Sequence, residues 1–213
     1  MKYKTVIFDF DGTIADTLIF HFAKVQEIVD RYHVANLNHR QIKDEIRSKT
    51  PQELMRKFKL SWVKLPFIYP AIKKAQKELN KQIDKIQVCQ GMRQMLLNLK
   101  KNKYQLGILS SNLKENIDKF LSLKQLEVFD FIHYEKNIFG KDKALTNLMK
   151  KYSLIKNDII YVGDEVRDIE ACKKVGIKII AVTWGIHTKK ILLKYKPEYL
   201  VDSPKEMEKI LQY

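Results

Sequence analysis

Cysteine is almost missing from this chain. Only Cys89 and Cys172 carry a thiol among 213 residues, and their spacing fits neither a disulfide framework nor a zinc ligand set. Both read as small buried residues. No apolar run approaches the roughly 20 residues that a membrane-spanning helix needs, and the first residues lack the apolar core of a secretory leader. A cytoplasmic protein with no membrane partner is the resulting expectation. The five histidines show no mutual spacing suited to a metal or a catalytic triad, and no glycine-rich nucleotide loop is present. Acidic residues are outnumbered, 25 against 40 Lys and Arg, for a formal charge of +15. Nucleic acid is still not an expected partner, because the lysines are spread along helical faces: Lys73, Lys77, Lys81 and Lys85 recur at every fourth position, the pattern of a solvated stripe. The positive field favours small anionic substrates.

What the chain does have is enough apolar content, 45%, to bury a core, as one domain or as a large domain with a small one. Near the N-terminus the run Val6 to Phe8 predicts a strand buried on both faces, followed by Asp9-Phe10-Asp11-Gly12-Thr13. Side chains two apart in an extended segment point the same way, so Asp9 and Asp11 share one pocket, where their charges repel unless a cation or a proton intervenes. After Thr13 the period changes. Leu18, Phe22, Val25, Val29 and Tyr32 predict an amphipathic helix, Asn38 opens a short one, and Thr50-Pro51-Gln52-Glu53 combines a capping box with a first-turn proline. A longer lysine-faced helix is expected over about 66–85, its start blurred by Pro70.

From Val88 onward the pattern alternates. Strands are predicted over 104–109, near 129–133, over 159–162 and 178–182, and at 199–201 on the edge, with helices after Gly91, Asn112, Lys141, Asp168 and at the C-terminus. Such alternation implies an α/β fold, a Rossmann-like parallel sheet covered by helices on both faces, with right-handed crossovers. The domain division follows: 1–16 and 88–213 form the core, and 17–87 an inserted all-helical cap. In a sheet of this kind ligands bind beyond the carboxyl ends of the strands. Asp9 and Asp11, Ser110 and Ser111, and Asp164 and Asp168 all come just after predicted strands.

Several carboxylates and one or two lysines at one edge, with no His or Cys cluster, describe an oxygen-ligand site for a hard cation, magnesium above all, and such a site works on phosphate. An aspartate can attack phosphorus, a second carboxyl can serve as acid and then base, and the hydroxyls and N–H groups of Ser110 and Ser111 with a lysine can hold phosphoryl oxygens. Asp9-Phe10-Asp11-Gly12-Thr13, Leu109-Ser110-Ser111-Asn112, Lys141, and Gly163-Asp164 with Asp168 resemble, in order and in strand context, the four motifs of the haloacid dehalogenase superfamily. The likeness covers nearly the whole chain and is greatest to small capped phosphatases of the phosphoglycolate phosphatase type. It implies that Asp9 is the nucleophile and a magnesium ligand, and that Asp11 is the general acid and base, its backbone carbonyl also on the metal. Ser110 then binds the phosphoryl group, Lys141 offsets its charge, and Asp164 holds magnesium with help from Asp168. Lys143 competes with Lys141 for the third motif, since no proline follows Lys141, but Leu145 and Leu148 follow at the helical spacing that favours Lys141. Glu165 stands next to Asp164 as a further possible ligand, and Arg167 reads as a surface charge. Arg47 and Lys49, before the Thr50 cap, are candidate substrate contacts.

The implied function is a magnesium-dependent phosphatase acting on a small phosphorylated metabolite, as a monomer or homodimer. A phosphomutase and a phosphonatase on the same fold stay open as alternatives. A dehalogenase has no need of Asp11. A non-catalytic binding protein would be expected to lose Asp9, Asp11 or Asp164, and all three are present.

Overall fold

The computed structural model describes residues 3–31, 36–58, 65–134 and 140–212. Its strands are β1 (Thr5–Phe8), β2 (Gln105–Ser110), β3 (Phe131–Tyr134), β4 (Ile159–Gly163), β5 (Lys178–Val182) and β6 (Tyr199–Val201). They form one parallel sheet in the order β3-β2-β1-β4-β5-β6. Four helices lie between β1 and β2 in the described chain: α1 (Leu18–Arg31), α2 (His39–Ser48), α3 (Pro51–Lys57) and α4 (Leu65–Lys81), with a fifth, α5 (Met92–Lys101), leading into β2. The others are α6 (Lys114–Leu123), α7 (Lys141–Lys151), α8 (Val166–Val175), α9 (Lys189–Lys194) and α10 (Pro204–Gln212).

The apolar runs are continuous because both faces of the sheet are covered. Val6 and Phe8 pack with Leu106, Ile108, Ile160 and Val162 against residues of α5, α6 and α10, while Ile7, Tyr161 and Ile179 pack on the other face against α7, α8 and α9. Each such side chain contributes about 1.5–3 kcal/mol when fully buried. The parallel register sets Phe8 level with Ile108 and Val162. Asp9, Ser110 and Asp164 therefore leave their strands along one line, around the point where strand order reverses about β1.

The inserted helices leave and rejoin the sheet through two adjacent segments. Ala15 pairs antiparallel with Val88, Asp16 N donates to Gln87 O at 2.9 Å, and Cys89 N donates to Ile14 O at 2.8 Å. Phe22, Val29, Ile42 and Ile46 make a small cluster of their own between α1 and α2. Capping boxes at Asn38 with Gln41 and at Thr50 with Glu53 open α2 and α3. Helix α4 differs from its expected bounds. Pro70 lies inside it, and it ends at Lys81, after which Gln82 N and Lys85 N close turns onto Leu79 O and Gln82 O. Leu79 and Ile83 belong to the cluster on the sheet, so this end of the insertion is anchored to the core. Tyr32, expected to close the first helix, lies outside the described residues. Helix α9 was not foreseen, because six residues are too few to display a period. Cys89 and Cys172 are buried free thiols. Among the described residues, no helix is long and apolar enough to cross a membrane.

Candidate active site

Strand β1 hands over to Asp9 without a break in its ladder: the Asp9 amide donates to Val162 O at 2.8 Å, while the side chain is buried at the carboxyl edge. The first residue of α7 is Lys141, whose Nζ lies 3.1 Å from Asp9 Oδ1 and also pairs with Asp168. The Tyr161 ring packs against that ammonium with its centroid 5.2 Å away. Lys143 is exposed on the same helix, so it is Lys141 that reaches Asp9.

Asp164 is held by close backbone. Thr13 Oγ1 donates to its Oδ1 at 2.9 Å, and Ile186 N donates to its Oδ2 at 2.7 Å. A Cβ at Gly12, whose φ is 74°, or at Gly185 would run into this carboxyl group, so both positions require glycine. Asp168 is buried in the first turn of α8, where its Oδ2 accepts from Glu165 N at 3.1 Å. Asp9, Asp164 and Asp168 each bring an oxygen to within 4.8 Å of the others. Burial pushes the Asp9 carboxyl up to about 7 against the pull of Lys141, and burial with the nearby Asp9 and Glu165 charges pushes Asp164 well above the carboxylate range. That cost of charge is what a divalent cation among three oxygen donors relieves, so the residues fit a hard metal ion. Glu165 is not in this trio. Its Oε1 accepts from Arg167 Nη2 at 2.5 Å; burial raises its pKa, but Arg167, His187 and Lys141 together hold it below the ordinary value.

Asp11 points to the other side of the pocket. Asn112 Nδ2 donates to both of its oxygens, at 3.1 and 2.9 Å, and His21 Nε2 of α1 lies 3.4 Å from Oδ1. Burial raises its pKa, but His21 and Asn112 together hold it below the usual value. The same contact raises His21 against its own burial. Ser110 Oγ accepts from Asn112 N at 3.0 Å and does not cap α6, whose N-cap residue is Leu113.

A cavity of about 200 Å³ opens beside these groups, between α1, α4 and the sheet edge. Its polar lining includes His21, Lys24, Gln76, Ser111 and Arg167, with apolar side chains such as Phe20 and Ile186 completing the wall. Arg167, expected at the surface, is 22% exposed and lies in this wall because α8 starts directly under the cavity. From the sequence alone His21 has no assigned role, and Asn112 enters only as the last residue of the second motif. A lone histidine on an amphipathic helix carries no signal of its carboxylate, and the asparagine looks like an ordinary turn residue.

Arg47 and Lys49, expected as substrate contacts, do not line this cavity. The Lys49 ammonium turns to Glu45 at 3.1 Å, one helical turn away. What the segment offers the core is backbone: Arg47 O accepts from Thr188 N at 3.0 Å, and Lys49 O lies 3.1 Å from His187 Nε2. His187 Nδ1 accepts from Val166 N at 2.9 Å, so Nε2 carries the hydrogen and donates. Burial holds this imidazole below its ordinary pKa, consistent with the neutral form. His187→Ala is expected to cost about 1–3 kcal/mol of unfolding free energy, whereas Lys49→Ala, which keeps the carbonyl, stays within about 0.5 kcal/mol. Denaturant titration measures both, and equal losses would contradict the backbone reading.

Comparison with known proteins agrees with this architecture. The family model for haloacid dehalogenase-like hydrolases matches residues 6–182. A phosphoglycolate phosphatase of Synechococcus elongatus is 29% identical over 206 residues, 96% of this chain and 95% of the relative. The pyrophosphatase PpaX of Bacillus mycoides is 24% identical over 236 residues, 99% of this chain and 98% of the relative. Among solved structures, a predicted phosphatase from Clostridium acetobutylicum superposes over the full length of both chains with a TM-score of 0.83 at 20% identity. A haloacid dehalogenase-like hydrolase from Streptococcus pneumoniae covers 99% of each chain at a TM-score of 0.80 and 20% identity. At such identity these two speak for the fold. The family match, by contrast, runs from inside β1 to the last residue of β5 and so takes in every strand end that carries a carboxylate of the trio; the chain belongs to the haloacid dehalogenase-like hydrolases.

Proposed function

We propose that this hydrolase is a magnesium-dependent phosphatase that cleaves a small phosphorylated metabolite through an aspartyl-phosphate on Asp9. The observation that carries the reading is Asp9 itself, a buried carboxylate at a strand end with Lys141 Nζ 3.1 Å from one oxygen and two further carboxylates beside it. In the first step an Asp9 oxygen attacks phosphorus as the bond to the leaving oxygen breaks, and Asp11 gives that oxygen a proton. In the second, Asp11 takes a proton from water as the water oxygen attacks the same phosphorus, and the bond to Asp9 breaks to release inorganic phosphate. Asp11 is ionised in the present arrangement, ready to act as base. To act as acid it takes up a proton, for which His21 is the adjacent reservoir. Ser110, Ser111 and Lys141 hold the equatorial oxygens while charge redistributes. A bound magnesium ion, held by Asp9, Asp164, Asp168 and the carbonyl of Asp11, would neutralise charge on the phosphoryl group.

We further propose that residues 17–87 act as a cap over a core formed by 1–16 and 88–213, bending at the paired segments around Ala15 and Val88. The cavity beneath the cap carries Lys24, paired with Glu27 and Glu78, and Arg167, paired with Glu165, within a partly apolar wall; exchange of one of these carboxylates for a substrate's suits a short leaving group with an anionic end. The two relatives fit that description, one named for phosphoglycolate and the other for pyrophosphate. A panel of phosphorylated hydroxy acids, sugar phosphates and pyrophosphate, assayed for released phosphate with magnesium, tests the reading. Short anionic substrates should have kcat/KM at least about ten-fold above neutral sugar phosphates. A reversed preference would remove the assignment of Lys24 and Arg167, and no turnover of any phosphoester would remove the function.

A further inference from the structure

Asn116 is a costly residue for its position. It lies in the first turn of α6 with no exposed surface, and a buried side-chain amide is unfavourable unless every polar atom is paired. It is paired. Its Nδ2 donates to Asn112 Oδ1 at 2.7 Å and to Gln76 O at 2.9 Å, and its Oδ1 accepts from Asn80 Nδ2 at 2.8 Å. Two backbone groups settle which way these amides face. Gln76 O can only accept, so the nitrogen of Asn116 must face it, and Leu113 N can only donate, at 2.7 Å, so the oxygen of Asn112 must face that N–H. Asn112 Nδ2 is thereby aimed at the Asp11 carboxylate. The sequence of contacts starts on inserted helix α4 with Asn80, passes through Asn116 and Asn112, and ends on Asp11. A second bond from the same helix, Gln76 Nε2 to Ser111 O at 3.0 Å, fastens the loop that carries Asn112.

We infer that Asn116 is a positioning residue, joining Asn80 of the inserted helix to Asn112 so that the Asp11 carboxylate is aimed only while α4 is seated on the sheet edge. The inference rests on the proposed acid–base role of Asp11, and its consequence is a division of labour. Asn112 orients the acid, Asn116 orients Asn112, and Asn80 lets the position of the insertion be read at the reacting edge. No proton passes along the amides, which act by orientation alone. A leucine at position 116 would fill the same space with no desolvation cost, so the retained amide needs a reason beyond packing.

The test is the dependence of kcat/KM on leaving group, measured for wild type, Asp11→Asn, Asn116→Leu and Asn80→Ala on a series running from nitrophenyl through phenyl to alkyl phosphates. An activated leaving group departs without a proton, whereas an alkoxide needs one, so a misaimed acid steepens the dependence. Asn116→Leu and Asn80→Ala are each expected to lower kcat/KM for alkyl phosphates about ten-fold while holding nitrophenyl phosphate within about two-fold. Asn80 is part-buried and outside the cavity lining, so its variant keeps the test intact if Asn116→Leu folds poorly. A proportional loss on all substrates, or none, in Asn80→Ala would overturn the inference. If Asp11→Asn shows the steepened dependence and neither asparagine variant does, the inference fails and the role of Asp11 stands. If Asp11→Asn lacks it, both fall together.

Discussion

Asp9→Asn is expected to remove turnover, by on the order of 10⁴-fold or more in kcat, with the fold intact. The change replaces one oxygen by an amide nitrogen of nearly the same volume, so packing around β1 is undisturbed while the attacking electron pair is lost. Lys141 still meets Asp168, whose charge remains. The variant should therefore melt as cooperatively as wild type and still bind inorganic phosphate, which calorimetry can show. Mass spectrometry after brief incubation with substrate should find a phosphoryl adduct on a wild-type peptide containing Asp9 and none on the variant. Substantial residual turnover by Asp9→Asn would assign the nucleophile elsewhere.

The second large effect concerns the metal. Exhaustive chelation should abolish phosphate release, and magnesium should restore it better than calcium, whose longer and looser coordination misplaces nucleophile and phosphate. Asp164→Ala should raise the magnesium concentration needed for half-activation by on the order of 10–100-fold, more than Asp168→Ala does. The charge of Asp168 is already met by Lys141 and its Oδ2 by Glu165 N, whereas no cation pairs with Asp164 among the described residues.

Proton linkage gives the same site a signature without turnover. The Asp9 carboxyl rises from 3.8 to about 7 on folding, so between those values the folded chain holds a proton that the unfolded chain has released. Stability from this group therefore falls as pH rises through that window, by on the order of 1–3 kcal/mol. Magnesium takes the place of the proton. Its stabilising effect in thermal melts should thus grow from acidic pH toward neutrality, and should be smaller and flatter in Asp9→Asn. A magnesium effect independent of pH in the wild type would contradict the placement of Asp9 among the ligands.

Much of the fold was legible in the chain itself because its signals are local. Val6 to Phe8, Ile159 to Val162 and Lys178 to Val182 are runs long enough to announce buried strands, and their alternation with helices left a parallel sheet as the reading. Asp9, Ser110, Lys141, Asp164 and Asp168 could be named because each lies at the end of a strand, just after it, or in the first turn of a helix, and a parallel sheet gathers such positions at one edge. Thr50 and Glu53 announced a helix start from four residues alone.

Tertiary structure decided whatever depends on two distant segments meeting. The spacing of Leu145 and Leu148 favours Lys141 over Lys143, but the direction of α7 is what brings the first to Asp9 while the second is exposed. Arg167 looked like a surface charge because nothing nearby in sequence shows that α8 begins under a cavity. Arg47 and Lys49 meet Thr188 and His187 through carbonyl oxygen, a group present at every residue and so invisible in residue type. His21 of α1 meets Asp11, and Asn80 of α4 meets Asn116 and through it Asn112; a single hydrogen bond between distant segments leaves no period or composition from which to infer it. Strand and helix signals are carried by the order of side chains along one segment, and these the sequence determines. Which charge is neutralised, and by whom, follows from distances in three dimensions.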